Sequence, residues 1–381
     1  MSALPDPWGV SQEAWESVES NLFAFSLFPY LAFLWLLDRP ETGCPKKVSL
    51  GYKFLLVFVF ATIPAGIYAK QHYGDTLANI DWLHGTAESF LTITNIILVL
   101  GLRDAVRNSG GSSGTGSRKE SELGSVRGAL LGFLAVASFL GGAGAPMTAE
   151  ALGSINELPA PLAWLSVPLH AEPSNALSLP TWAVHTSSVI EYLVAMGLVW
   201  QYAEVSGNPR WKGLTWGMLP SHSGGLCACT YHLFFNSPAL SSIVALQALL
   251  TTVGNTTCAI AAYRLWQYGS QRSAEERATS SAGNGSSPSP TDASHAGTGQ
   301  RGWEDLAEEY KSDSDAVFVA KIAGWSILLA AVIKYGELGL GFPFSEQPLL
   351  PALGCIAVPS LLNISKWASL SRSGGNDSGS S

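Results

Sequence analysis

Charged residues are scarce in this sequence. Asp, Glu, Lys and Arg make up 13% of its 381 residues, whereas 47% are hydrophobic; a soluble domain carries about a quarter charged residues. No basic patch is interleaved with exposed aromatic residues, which argues against nucleic acid as a partner. Five cysteines are scattered along the chain, too few for a disulfide framework. These absences leave a membrane protein, whose first partner is the lipid bilayer.

Enzyme motifs are also lacking. The sequence has no P-loop, no GxGxxG after a strand, no GxSxG elbow, no CxxC pair and no HExxH. We therefore expect a protein that is not an enzyme, and the motifs name no cofactor. Residues 1–20 hold no Lys or Arg and no apolar core, which predicts neither a secretory signal nor a transit peptide. Either the N-terminus is mature or a presequence is missing.

Long apolar runs dominate what is present. A helix needs about 20 mostly apolar residues to cross a bilayer. Nine segments qualify: 21–37, 51–69, 84–102, 128–145, 182–202, 212–233, 240–264, 316–335 and 347–364. The fourth is weak, the sixth is polar with a kink expected at Pro220, and the ninth is broken by Pro351 and Pro359. The fold class predicted is all-α, a polytopic transmembrane helix bundle of about nine spans.

Lys and Arg are distributed unevenly between the two sides that these spans define. With the N-terminus outside, the inner loops and the helix ends beside them hold all but two of the 21 basic residues. The exceptions are Lys70 and Lys334. This positive-inside bias predicts an outer N-terminus and an inner C-terminus.

Five regions follow from the spans. Residues 1–107 and 182–268 look like two three-helix membrane repeats, because both carry a Pro and a His near the end of the second helix and an Asn within the third. The fourth span between them makes the repeats parallel, as in some transporters. Residues 108–181 hold a disordered Ser/Gly-rich loop, the linking span and an apolar outer loop. Residues 269–314 form a disordered basic-side loop, and residues 315–381 form two helices and a tail.

Ionisable residues inside the spans are the candidate site, because they are costly in a bilayer and default to a functional hypothesis. Span five places His185 near the outer face and Glu191 at a depth of about 13 Å, at 1.5 Å per residue. Depth then pairs His185 with His232 of span six, and Glu191 with His222. The other candidates are Cys229 on the stripe that holds both span-six histidines, Gln247 and Asn255 of span seven, and the first-repeat counterparts His72, His84 and Glu88.

Three interpretations of this polar cluster remain open. The groups hydrogen-bond between helices and fix the bundle, as polar side chains in membranes commonly do. Alternatively, imidazole and carboxylate bind iron, zinc or a tetrapyrrole, although the spacing matches no recognised ligand motif. In the third interpretation, Glu191 and His222 relay protons during transport.

Two long segments resemble known families. The chain resembles the hypothetical chloroplast reading frame forty-nine family, a domain of unknown function in cyanobacteria and plastids, at LSLPTWAVHTSSVIEYLVAMGLVWQY and through LPSHSGGLCACTYHLFF to LLTTVGNTTCAIAAYR. It resembles a second uncharacterised domain of the same distribution at NLFAFSLFPYLAFLW, FATIPAGIYAKQHYG and DWLHGTAESFLTITNIILVLGLR. The two are fused in plant and green-algal proteins. The resemblance implies a plastid membrane, thylakoid or envelope, and carries over no catalytic residue.

These features together predict a plastid integral membrane protein that supports biogenesis or organisation of the photosynthetic membrane. Its disordered loops on the stromal side are available to other plastid membrane proteins, and its N-terminus lies on the lumenal side. The first alternative is a small-solute or ion transporter with an intramembrane His/Glu site. The second is a membrane protein that binds haem, a pigment or a metal.

Overall fold

The computed structural model describes residues 8–109, 170–281, 313–345 and 347–376. These ranges contain eight long helices and no strand. In chain order the helices are α1 (Gln12–Leu37), α2 (Lys46–Tyr73), α3 (Asp81–Ser109), α4 (Leu179–Val205), α5 (Lys212–Leu233), α6 (Ser241–Ser281), α7 (Asp315–Gly339) and α8 (Leu349–Asn376). Short 3₁₀ turns lie at Pro40–Thr42, Leu77–Asn79, Pro209–Trp211, Pro238–Leu240 and Phe342–Phe344.

Seven of the eight described helices are long and apolar enough to cross a membrane. The exception is α5, whose 22 residues include several Ser, Thr and His. It packs against α4, α6 and α8, so that protein rather than lipid surrounds most of its polar side chains. The described helices overlap eight of the nine predicted spans, and the fourth, 128–145, lies outside the described residues.

The helices extend beyond the apolar runs that predicted them. The first begins at Gln12 because Ser11 caps it, with the Ser11 hydroxyl accepting from the Ala14 amide at 3.3 Å. Helix α6 continues to Ser281, so residues 269–281, predicted as the start of a disordered loop, are helical instead. An apolar run identifies only the part of a helix that can lie in the lipid bilayer. Polar residues can continue the same helix beyond that part.

Prolines do not interrupt the described helices. Helix α5 runs through Pro220, and α8 runs through Pro359. Pro351 lies in the first turn of α8, where its missing N–H has no intrahelical partner to lose. The predicted break of the last span is therefore wrong, because one of its two prolines lies at a position that helices tolerate.

Helices α2–α3 and α5–α6 form two antiparallel pairs. Helix α3 also packs in parallel against α4, and α6 against α1; we call these two parallel contacts seams. In the α3–α4 seam the two helices begin side by side, where the Ser178 amide donates to the Asp81 carboxylate at 2.9 Å. In the α6–α1 seam the order of contacts along both helices is also the same. Helices α1, α3, α4 and α6 therefore begin at one end of the bundle, which we call the histidine end.

The same two hydrogen bonds recur in both seams. A threonine hydroxyl and, three residues later, an asparagine amide donate to two carbonyl groups four residues apart on the partner helix. In the α3–α4 seam the pairs are Thr92 to Val184 and Asn95 to Ser188, at 3.4 and 3.2 Å. In the α6–α1 seam they are Thr252 to Leu22 and Asn255 to Ser26, both at 3.0 Å. The parallel three-helix repeat stays a prediction, and this shared register supports it.

Glycines of α2 and α5 lie at positions that correspond in the same way as the shared hydrogen bonds. A Cβ on Gly51 of α2 would lie 2.8 Å from the Leu98 Cα of α3. A Cβ on Gly217 of α5 would lie 3.1 Å from the backbone nitrogen of Cys258 on α6. Leu98 and Cys258 each lie three residues after the shared asparagine, so the two glycines occupy equivalent positions.

The glycine register disagrees with part of the predicted repeat. That prediction aligned Pro64 with Pro220 and the histidine His72 with His232. Counted from Gly51 and Gly217, neither the two prolines nor the two histidines are equivalent. The gapped alignment of short motifs therefore paired residues from different helical turns. Such motifs carry no information about which residues face the partner helix.

The two basic residues predicted on the outer side both lie near the histidine end. Lys70 is in the last turn of α2. Lys334 of α7 is buried, forms an ion pair with Glu172 and donates to the Leu177 carbonyl at 2.6 Å. The Lys334 charge is therefore balanced inside the protein rather than by water or lipid headgroups.

Candidate metal centre

Three histidines from three helices meet at the histidine end. His84 lies in the first turn of α3, His185 in the second turn of α4 and His232 in the last turn of α5. All three are buried, at 4–7% exposure. One ring nitrogen of each lies within 4.8 Å of the corresponding nitrogens of the other two. The closest pair, His84 Nε2 and His185 Nε2, is 2.9 Å apart.

Small residues and a helix cap bring α3 and α4 together at this point. A Cβ on Gly85 would lie 2.6 Å from the Thr181 hydroxyl, so any larger residue would force the helices apart. Ser178 caps α4, and its hydroxyl accepts from the Thr181 amide at 3.4 Å. Close approach next to His84 is what lets its ring reach His185.

The arrangement suits a transition metal. Neutral imidazole is the commonest metal ligand in proteins and binds zinc, copper, iron and nickel. Two nitrogens on one tetrahedral zinc ion, each about 2.0–2.1 Å from the metal, lie about 3.4 Å apart. The nitrogen separations among the three histidines bracket this value. Three protein ligands would leave one position for water or another ligand.

A carboxyl and a thiol lie one turn further into the bundle. Glu88 follows His84 by four residues on α3, and Cys229 precedes His232 by three on α5, so each shares a helix face with a histidine. The two side chains are close enough to interact electrostatically. A divalent ion on three neutral imidazoles is an uncompensated buried charge, and Glu88 is placed to offset it.

Glu191 lies outside this cluster. It is 1% exposed, and its Oε1 accepts from the Ser187 hydroxyl at 2.7 Å. Its side chain also contacts Asn95 of α3 and lines a cavity whose opposite wall is α7. The predicted partner, His222, faces α8 instead, with its Nδ1 3.5 Å from Asn363 Nδ2. The structure therefore does not join Glu191 to His222.

The remaining predicted residues are dispersed. Asn255 donates to the Ser26 carbonyl in the α6–α1 seam, and Gln247 lies where α6 crosses Gly224 of α5. His72 is exposed and stacks on Tyr68, with ring centroids 3.9 Å apart. His84 and Glu88, predicted as counterparts of the second-repeat site, belong to the same cluster as His185 and His232.

Sequence reasoning missed Asp81. It lies one turn before His84 at the start of α3, and its Oδ2 is buried without a hydrogen-bond partner among the described residues. Asp81 and His84 are three residues apart in the sequence, and on a helix this spacing places two side chains on a shared face. The sequence therefore contained the signal for Asp81. Its carboxylate interacts electrostatically with Lys334 of α7.

Comparison with known proteins divides the chain into two matched regions. Residues 19–107 match a family described as a protein of unknown function (DUF3593), and residues 176–264 match another described as a protein of unknown function (DUF2499). The "Ycf49-like protein" of Synechocystis sp. is 49% identical over 100 residues, which are 26% of this chain and 96% of that protein. The chain belongs to the Ycf49-like family.

A second Ycf49 relative is more distant. The "Uncharacterized protein ycf49" of Cyanophora paradoxa is 36% identical over 83 residues, which cover 22% of this chain and 81% of that protein. No solved structure matches the chain. His84 lies in the first matched region and His185 and His232 in the second, so the cluster joins the two regions of this Ycf49-like chain.

Proposed function

We propose that this Ycf49-like protein binds one divalent transition-metal ion, such as zinc or copper, through His84, His185 and His232. The observation that carries the proposal is the convergence of three buried ring nitrogens within 4.8 Å of one another. This is the metal-binding alternative of the sequence analysis, now with three named ligands. The relay between Glu191 and His222 has no contact in its favour among the described residues.

Burial keeps the three imidazoles in the neutral form that can bind a metal ion. Three imidazoles packed together among helices lack water to solvate a positive charge, so the neutral, metal-binding form is favoured. The indole nitrogen Trp182 Nε1 at the same end is buried without a hydrogen-bond partner in the described chain. Unpaired buried polar atoms of this kind call for a partner, and a bound ion with its water would supply one.

The test is metal content of the purified full-length chain, prepared in detergent with an affinity tag that contains no histidine. After incubation with Zn²⁺ and removal of free ion, we expect about one zinc per chain by elemental mass spectrometry. His232→Ala should lose it, whereas His222→Ala and His72→Ala remove imidazoles outside the cluster and should keep it. Wild-type protein that retains neither Zn²⁺ nor Cu²⁺, or a His232→Ala variant that retains the ion, would contradict the proposal.

The same proposal puts the protein in a plastid photosynthetic membrane, with the histidine end on the lumenal side, and gives it a role in building or organising that membrane. Support comes from its membership of a family with cyanobacterial and Cyanophora relatives and from the positive-inside bias. Lines that lack the protein should contain fewer photosynthetic complexes. Normal complexes at normal abundance in such lines would remove this part of the proposal and leave the metal site untouched.

A further inference from the structure

A second buried polar site lies deeper in the bundle than the three histidines. Glu191 is six residues beyond His185 on α4, about 9 Å along the helix. Its Oε1 accepts from Ser187 at 2.7 Å, but its Oε2 is buried without a hydrogen-bond partner in the described chain. A carboxyl group inside a membrane protein is costly and marks a functional site by default.

The Glu191 side chain lines a cavity of about 50 Å³. Its wall is mostly apolar, with Phe318 and Ile322 of α7 opposite Glu191, and Ser187 and Thr92 are the two hydroxyl-bearing residues that line it. A cavity of this size with two or more polar partners can hold water. Ser187 and Asn95 contact the carboxyl, and water in the cavity is the natural further partner for its Oε2.

The corresponding place in the other seam shows that packing does not require this carboxyl. Glu191 follows Ser188 by three residues, and Pro29 follows Ser26 by three in α1. Ser187, which precedes Ser188, corresponds in the same way to Phe25. Both seams keep their shared hydrogen bonds, so the α6–α1 seam packs with Pro29 and Phe25 at the positions of Glu191 and Ser187.

Polar groups lead from the cavity toward the histidine end. Thr92 Oγ1 lies 3.2 Å from Ser188 Oγ, one turn below His185 along α4. On the other side Phe318 closes the cavity and lies under the Arg103 guanidinium, 3.9 Å from the ring centroid. The Arg103 side chain forms an ion pair with Asp315 at 3.2 Å.

Glu191 is the one titratable side chain among the described residues that line the cavity. Other titratable groups on the neighbouring helices do not line the cavity. They are Glu88 and Arg103 on α3, His185 and Tyr192 on α4, His222 on α5, and Asp315 and Lys321 on α7. The His222 side chain faces α8. No neighbouring charge is paired with the Glu191 carboxyl.

We propose that Glu191 and its hydrated cavity form a proton-binding site inside the bundle. A proton that arrives through the cavity water binds the carboxylate and leaves by the same water, so that the water is neutral before and after, and the hydroxyls of Ser187, Ser188 and Thr92 connect that water with the histidine end. The site goes beyond the metal centre and does not depend on it, because Glu191 contacts none of the three histidines.

Infrared difference spectroscopy of the full chain in lipid vesicles tests the proposal. Spectra at acid minus alkaline pH should contain a carbonyl band of a protonated carboxylic acid that shifts to lower frequency in D₂O. Glu191→Gln should remove this band. The matched control is Glu204→Gln, which changes an acid to an amide at the far end of the same helix, and it should keep the band.

Ser187→Ala is the second variant, because Ser187 donates to the Glu191 carboxylate and its loss should shift the band without removing it. This variant decides the matter if Glu191→Gln fails to fold. A band that survives Glu191→Gln, that does not move in Ser187→Ala, or that stays constant over the whole pH range in which the protein is folded would overturn the proposal. Zinc content, measured on the same samples, should equal that of the wild type in both variants, which separates this result from the metal proposal.

Discussion

The two parallel seams, α3–α4 and α6–α1, share the same interhelical hydrogen bonds but differ in the side chains at corresponding positions around them. Each seam has a threonine and an asparagine that donate to carbonyl groups of the partner helix. Counted from those bonds, the α3–α4 seam carries ionisable groups where the α6–α1 seam has apolar residues or proline. The corresponding pairs are His84 and Val244, His185 and Phe23, and Glu191 and Pro29.

This difference distinguishes the hydrogen bonds that hold the helices together from the ionisable groups that packing does not require. The bonds present in both seams are sufficient for packing, since among the described residues α6 and α1 share only these interhelical hydrogen bonds and still pack closely. The imidazoles and the carboxyl occur in one seam alone, and burying them is costly. Ionisable groups inside the bundle are costly to bury, and packing does not require these. They are therefore the candidates for a functional role.

The largest effect that would sharpen this comparison is on metal affinity. His84→Ala removes a direct ligand, and because loss of an outer-shell partner alone costs 10–100-fold, we expect affinity for Zn²⁺ to fall by more than about 100-fold. Val244→Ala changes the corresponding position of the other seam and should leave affinity unchanged. Isothermal titration of the two variants in detergent measures both, and equal losses would show that the seams are not functionally distinct.

A second effect concerns the glycines at the close approaches of the two antiparallel helix pairs. Gly51→Val places a Cβ 2.8 Å from the Leu98 backbone, and overpacking of this kind costs about 1–3 kcal/mol. Gly217→Val should cost a similar amount. Gly66→Val on α2 is the control, since a Cβ there meets nothing within 4 Å. Thermal unfolding in detergent should rank the variants in this way, and an unaffected Gly51→Val would argue against the shared register.

The smallest effect is expected for the shared asparagines. Asn95→Leu and Asn255→Leu each remove one interhelical hydrogen bond, worth about 0.6 kcal/mol on average in a membrane bundle and at most about 1.7. Asn95→Leu should cost at least as much as Asn255→Leu, because the Asn95 side chain also contacts Glu191. Only Asn95→Leu should also move the Glu191 infrared band, because Asn95 contacts that carboxyl. A shift of the band in Asn255→Leu would break the distinction between the shared hydrogen bonds and the ionisable groups.

Depth along a helix could be predicted from the sequence, whereas direction around it could not. Counting residues placed His185 and His232 at one level, and the structure brings them together. The same counting placed Glu191 and His222 at one level, yet they face α7 and α8 respectively. His84 was predicted as a counterpart elsewhere because nothing in the sequence tells which non-consecutive helices are neighbours.

Composition and the length of the apolar runs determined, without any structure, that this chain forms an all-α bundle with helices that suit a membrane. That inference works because a bilayer imposes a local rule on each segment, about 20 apolar residues per span. The tertiary structure alone decided that α3 lies beside α4 and α6 beside α1, and so which polar groups meet. Such contacts depend on close approaches between residues far apart in sequence, such as Gly85 with Thr181 and Gly51 with Leu98.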